Sequence, residues 1–315
     1  MKTDPFILFL LAVVGMAYFF PEPARLLPLD SLASAGISLV FFFYGLKLSP
    51  ADIRSGLSNG KLHLVIQGFT FIVFPLLVLA VKPFFPSREM WLGLFFLAAL
   101  PSTVSSSVVM TSLAGGNVPA AIFNASISGL IGIFITPLWM SLFIRSAGGD
   151  VTGIYLKLLY EIVLPIAAGL LLQKWLGAPV RRYSFVFTQF DRSVILLVIY
   201  KSFVHSFESN VFSGIGLPYL LGLCGCILVL FTVVYGLIAL TARKLGFNYK
   251  DRIAALFCGT KKSLMHGTVF SKVLWSNSTA IGIILLPLML FHAFQILIVG
   301  IIAGRYAETG GDTRK

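Results

Sequence analysis

LPSTVSSSVVMTSLAGGN, residues 100–117, sets a proline, a cluster of serine and threonine hydroxyls and a Gly-Gly-Asn stop inside a segment whose flanks are apolar enough for a bilayer interior. The pattern is that of an interrupted transmembrane helix. Backbone opened at membrane depth is tolerated only where protein or a water-filled cavity surrounds it, and interrupted helices at corresponding positions of two repeats point to a transporter's binding site. A counterpart stands in the second half: CGTKKSLMHG, residues 258–267, again lies between apolar runs and again carries polar side chains. Pro101 and Thr260 are separated by about half the chain, the spacing a duplicated architecture requires.

Composition agrees with a bilayer environment. Of 315 residues, 57% are hydrophobic and 11% charged, with a mean hydropathy of +0.93, whereas a soluble domain carries charge at about a quarter of its positions. The chain is a polytopic membrane protein. Its first apolar run, 5–20, follows Asp4 and ends in PEPARLLP rather than a small-residue cleavage site, so it reads as the first span and not as a signal peptide. Cys224, Cys226 and Cys258 all lie in apolar runs and read as buried thiols, which supports neither a disulfide framework nor a zinc site. The net charge of +12 does not indicate nucleic acid, because the basic residues are scattered through short loops between apolar runs.

Taking about 20 apolar residues per span, the sequence predicts helices at 5–20, 31–48, 62–83, 88–113 (interrupted), 118–145, 153–173, 189–212, 216–242, 252–274 (interrupted) and 276–304. Punctuation falls between them at PEPARLLPLD, SPADIRSGLSNGK, RSAGGD, LGAPVRR and RKLGFNYKDR, and the polar tail from Glu308 onward is expected to be loose. One set of loops and tails holds Lys47, Arg54, Lys61, Lys174, Arg181, Arg182, Arg243, Lys244, Lys250, Arg252, Arg305, Arg314 and Lys315; the other holds mainly Arg25, Lys82, Arg88 and Arg145. The positive-inside rule places the first set, and with it both termini, in the cytoplasm. RSAGGD divides the chain into two five-span repeats, 1–147 and 148–315. An odd number of spans per repeat forces the repeats into opposite orientation, so the expected fold is all-α, ten transmembrane helices in two inverted five-helix repeats with helices 4 and 9 broken.

At the interruptions the sequence resembles a known family, the bile acid:sodium symporters, and within it the sodium/bile acid cotransporter 7-like branch. VIQGFTFIVFP (65–75), LPSTVSSSVVMTSLAGGN, AAIFNASISGLIGIFITP (120–137), DRSVILLVIY (191–200) and CGTKKSL carry the resemblance, which covers the chain from helix 3 to helix 9. The resemblance implies a core of helices 3–5 and 8–10 and a panel of helices 1, 2, 6 and 7, with helices 4 and 9 crossing at their breaks and access alternating by an elevator or rocking movement. It further implies sodium held by Ser106 and Ser107 of the first break, Gln67 of helix 3, and Asn124 and Ser128, one turn apart on helix 5.

The second break departs from the family pattern. Where a glutamate is expected, Thr260, Lys261, Lys262 and Ser263 stand, and the nearest acidic residue is Asp251. Replacing a carboxylate by an ammonium removes an oxygen ligand and adds repulsion of about 4 kcal/mol at 4 Å and intermediate dielectric. Lys261 or Lys262 is therefore expected at the cation position, as a tethered charge that attracts an anionic substrate or as a proton carrier; the plainer alternative is that both snorkel into a wet cytoplasmic crevice. His266, directly after the break, is a weaker candidate for the same site. Glu161 in helix 6 and Lys201 in helix 7 are isolated charges at depth, expected to neutralise each other, with His205 one turn beyond Lys201.

These observations favour a secondary active transporter, a symporter of an organic anion of bile-acid-like chemistry coupled to sodium or protons, resident in the inner membrane of a bacterial cell, with no cofactor beyond sodium. A cation/proton antiporter would need an ionisable carboxylate in helix 5, where Asn124 and Ser128 stand instead. The alternative from another class is a non-transporting membrane regulator of ion homeostasis that keeps the fold. An enzyme is disfavoured: the sequence has no His-Glu metalloprotease pattern, no Walker loop and no Ser/His/acid set.

Overall fold

A computed structural model describes residues 5–48, 59–85, 87–144, 151–213, 215–275 and 278–312, and every regular element among them is helical. The chain opens with α1 (Pro5–Phe19), α2 (Glu22–Leu26) and α3 (Leu29–Lys47), followed by α4 (Gly60–Ala80). The first interrupted helix is α5 (Arg88–Ala99) with α6 (Ser105–Leu113), and α7 (Val118–Ile144) follows it. Next, α8 comprises Val151–Leu158, Leu159–Val163 and Leu164–Arg182 without a gap, and α9 is Ser184–Glu208. Then come α10 (Leu217–Lys244), the second interrupted helix α11 (Tyr249–Gly259) with α12 (Leu264–Leu274), and α13 (Ile281–Asp312).

Among the described residues six helices are long and apolar enough to cross a membrane: Leu29–Lys47, Gly60–Ala80, Val118–Phe143, Leu156–Arg182, Leu217–Lys244 and Ile281–Glu308. The remaining expected spans fall short for identifiable reasons. Helix α1 has only 15 residues, α9 carries Asp191, Arg192, Lys201 and Glu208 along its length, and the two interruptions cut their helices into pieces of 9 to 12 residues.

Proline explains the two π turns, Phe69–Val73 in α4 and Leu159–Val163 in α8. Pro75 and Pro165 each follow one residue after the turn's last cap, and a proline ring cannot close the α-helical bond to the residue four back. The chain accommodates it by inserting a residue, so that Phe74 N–H donates to Phe69 O and Leu164 N–H to Leu159 O.

Several boundaries differ from the sequence expectation. LGAPVRR is helical rather than a loop: α8 runs through Pro179 to Arg182, leaving Tyr183 alone before α9. Tyr183 N–H closes the last turn on Pro179 O, so the proline removes one interior bond without ending the helix. PEPARLLPLD contains the short helix α2, and the tail expected to be loose from Glu308 continues α13 to Asp312. The 49–58 part of SPADIRSGLSNGK, the RSAGGD connection, and Arg54, Arg145, Arg314 and Lys315 lie outside the described residues. Cys258 is buried, but Cys224 and Cys226 are half-buried.

The chain forms two compact units that do not follow its halves: residues 1–50, 141–214 and 267–285, and residues 51–140, 215–266 and 286–315. In the first unit α3 packs on α8 through Gly45 and Gly169, whose backbones touch; a Cβ on Gly45 would meet Ile166 O, and one on Gly169 would meet Phe42 O. Small residues allow such approach between membrane helices. Gly45→Val is expected to lower the melting temperature in detergent by at least about 5 °C, the result of roughly 2 kcal/mol of overpacking. Gly15→Ala, with nothing within 4 Å of the added Cβ, is the control that leaves it unchanged. Equal melting of the two variants would contradict the contact.

Candidate functional site

The two interruptions touch each other within the second unit. Helix α5 ends because Pro101 supplies no N–H and forces Leu100 into extended backbone, with φ −72° and ψ 152°. The chain becomes helical again only at Ser105. Helix α7 is shaped to this opening: Ser128 Oγ accepts from Ser102 N–H (2.9 Å), Thr136 Oγ1 donates to Ala99 O (2.7 Å), and Gly132 leaves room where a Cβ would lie 2.8 Å from Pro101. Across the interruptions Ser263 N–H donates to Pro101 O (2.9 Å) and Ser102 Oγ donates to Cys258 O (2.6 Å). Each opened strand of backbone thus satisfies groups that the other leaves bare.

Both lysines of the second interruption are fully buried, at 0% exposure, which excludes snorkelling. They differ in their surroundings. Among the described residues Lys261 Nζ donates to one main-chain oxygen, Ser106 O in the first turn of α6 (2.7 Å). Lys262 Nζ donates to three, Thr70 O (2.7 Å), Ala98 O (2.6 Å) and Leu100 O (2.9 Å), and lies 4.2 Å from the centre of the Phe74 ring. Among the described residues neither forms an ion pair with a carboxylate. The Lys262 backbone is gripped by Gln295 of α13, whose Oε1 accepts from Lys262 N–H and whose Nε2 donates to Lys262 O, both at 2.9 Å.

The other expected ligands are partly engaged. Gln67 Nε2 donates to Asn124 O (3.1 Å) and Oδ1 (3.2 Å), and Asn124 Nδ2 contacts His63 Nδ1 and Ala120 O, both at 2.8 Å. Thr260 Oγ1 donates to Leu256 O (2.6 Å), Ser263 Oγ is 2.9 Å from His266 Nδ1, and Ser106 Oγ makes a long 3.5 Å contact with Thr103. Gln67 Oε1, Ser107 Oγ and Thr111 Oγ1 are buried oxygens without a hydrogen-bond partner among the described residues. Thr70, Gln295 and Gly132 escaped the sequence reading. Gln295 did carry a signal, an uncharged amide deep in the apolar run of α13, where a polar side chain needs a partner.

The first unit holds a separate polar cluster, and here one expected pairing is corrected. Lys201 forms its ion pair with Asp30, not with Glu161. Glu161 Oε1 instead accepts from Ser34 Oγ (3.3 Å), and Ser34 Oγ accepts from Lys272 Nζ (2.7 Å), which also donates to Asp30 O (2.9 Å). Asp30 stands in the first turn of α3, at the edge of a span, so pairing only mid-span charges overlooked it. A cavity of about 380 Å³ lies beside this cluster, lined by Asp30, Lys201, His205, Lys272, Trp275 and Ser278 among others.

Residues 4–308 match the sequence pattern of the SBF-like CPA transporter family. A Pseudomonas aeruginosa protein of uncharacterised activity is 40% identical, over 98% of this chain and 94% of its own length. Escherichia coli YfeH, provisionally named a symporter, is 37% identical over 96% of this chain and 92% of its own. The zebrafish (Danio rerio) protein named sodium/bile acid cotransporter 7 is 30% identical over 94% and 91%.

Proposed function

The chain belongs to the SBF-like CPA transporter family, and on that premise we propose that it is a secondary active transporter that carries an organic anion across the cell's inner membrane by alternating access, coupled to sodium or a proton. In this reading the six long apolar helices, α1, α9 and the two interrupted pairs make ten passes in two inverted repeats, with both termini cytoplasmic. A membrane transporter of this family is not an enzyme, and the substrate is an amphipathic carboxylate or sulfate of the bile-acid type.

Lys261 carries the proposal. It is buried at the junction of the two interruptions, and among the described residues its ammonium donates to a single carbonyl, Ser106 O. An ammonium has three donors, so Lys261 retains hydrogen-bonding capacity for an anion. Ser106 lies in the first turn of α6, whose N-cap Val104 offers no side-chain acceptor. The uncapped N–H groups and the positive end of the helix dipole favour the same negative group as the lysine. For the coupling ion, Gln67 Oε1 and Ser107 Oγ are hard oxygens suited to sodium, while Lys261 itself is suited to a proton.

The test is uptake into proteoliposomes of a set of amphipathic carboxylates and sulfates, driven by a sodium gradient or a pH gradient. Uptake of at least one anion above protein-free vesicles is expected, with Lys261→Met reducing it at least about 100-fold, the loss of a buried charged interaction of roughly 3 kcal/mol, while the melting temperature stays within a few degrees. A fully active Lys261→Met protein sinks the assignment.

A further inference from the structure

Three main-chain oxygens around Lys262 are released by the sequence itself. Thr70 O would normally accept from Phe74 N–H, but the π turn diverts that donor to Phe69 O, and the next residue, Pro75, has none. Ala98 O would accept from Ser102 N–H, which is held instead by Ser128 Oγ. Leu100 O lies past the end of α5, in the extended backbone that Pro101 imposes. Two prolines and one serine therefore leave three carbonyl dipoles without their helical partners inside the protein, where an unpaired polar group is costly.

All three oxygens point at one atom, Lys262 Nζ, at 2.6–2.9 Å, and the Phe74 ring covers it with its face 4.2 Å from the centroid. Three acceptors match the three donors of an ammonium; a neutral amine has only two. Carbonyl oxygens that replace a hydration shell, together with an aromatic face, make a cage for a bare monovalent cation.

We infer that Thr70 O, Ala98 O, Leu100 O and the Phe74 ring form a monovalent-cation site whose permanent occupant is the chain's own Lys262 ammonium. No ion enters or leaves it. The charge travels with the protein, and any coupling ion binds elsewhere, which separates Lys262 from Lys261 in role as well as in contacts. Gln295 supports the occupancy, because its amide fixes both backbone polar groups of Lys262 and so sets the point from which the side chain reaches the cage.

Occupancy of the cage, unlike cargo, is read by melting in detergent and not by uptake. Lys262→Ala removes the occupant and leaves space for the deleted atoms, whose free equivalent is n-propylammonium. A fall of roughly 5–10 °C is expected, reversed by at least half on addition of millimolar n-propylammonium and not by n-propanol at the same concentration. Wild type is expected to show no response to either. Equal recovery with n-propanol would mean that the site only needs filling, and would overturn the inference. Two near-isosteric variants guard against an alanine protein that does not accumulate. Lys262→Gln, with two N–H donors, is expected to melt between wild type and Lys262→Met, which has none; a methionine variant as stable as the glutamine variant overturns the assignment equally.

Discussion

Asp251→Ala is expected to be the most destabilising carboxylate substitution in the chain, lowering the melting temperature by 10 °C or more, the equivalent of roughly 4 kcal/mol. Its carboxylate accepts from three asparagines: Asn59 Nδ2 (2.9 Å) and Asn248 Nδ2 (3.0 Å) at Oδ2, and Asn117 Nδ2 (2.7 Å) at Oδ1. Each asparagine also caps a different helix with its other side-chain atom. Asn59 Oδ1 accepts from Leu62 N–H at the start of α4, Asn117 Oδ1 from Ala120 N–H at the start of α7, and Asn248 Oδ1 from Asp251 N–H at the start of α11. Three helix N-termini, each with about half a positive charge, therefore converge on one buried carboxylate. Deleting it orphans three amide donors and removes the negative charge that the three dipoles share. Asp251→Asn keeps the shape but turns one acceptor into a donor facing asparagine nitrogens, and it is expected to recover less than half of the loss. An asparagine variant that melts within about 2 °C of wild type would show that packing, not charge, holds this junction.

The same three asparagines show what the sequence could and could not disclose. Each is readable as a helix start, since asparagine before an apolar run is a common cap, although Asn117 reads first as part of the Gly-Gly-Asn stop. That all three point their nitrogens at one aspartate depends on long-range placement, across sequence separations of 134 and 192 residues for Asn117 and Asn59. Proline at 101, the hydroxyls after it and two lysines in an apolar run disclosed the interruptions, because bilayer chemistry penalises such residues wherever they stand. The partners of those residues were not legible. Lys201 chose Asp30 over Glu161, and Lys262 is held by carbonyls of Thr70, Ala98 and Leu100, which nearby prolines help to free but whose convergence on one ammonium depends on the fold. The helical continuation through Pro179 was hidden for a related reason: the proline costs the helix one interior bond, and the turns on either side of it hold, with Tyr183 N–H closing on Pro179 O.

Gln295→Leu is expected to abolish uptake and to lower the melting temperature by roughly 5–10 °C. Leucine fits the volume and suits an apolar helix better than glutamine, so a core residue judged by size alone predicts a neutral or stabilising change. The hydrogen bonds predict the opposite. Gln295 is fully buried and acts as a surrogate peptide group for Lys262, pairing with its N–H and its C=O at 2.9 Å each, and it also contacts His292 Nδ1 (3.0 Å). Without it both backbone groups of a residue in an opened segment are bare, each at a cost of about 1–3 kcal/mol. The lysine then loses the anchor that aims its ammonium, and its neighbour Lys261 loses register with Ser106. Gln295→Glu separates the two halves of the grip: its carboxylate still accepts from Lys262 N–H but cannot donate to Lys262 O. It is therefore expected to melt between wild type and the leucine variant. If the leucine variant melts like wild type and transports, the interrupted backbone is held by its contacts with Pro101 and Ser102 alone, and the amide is incidental.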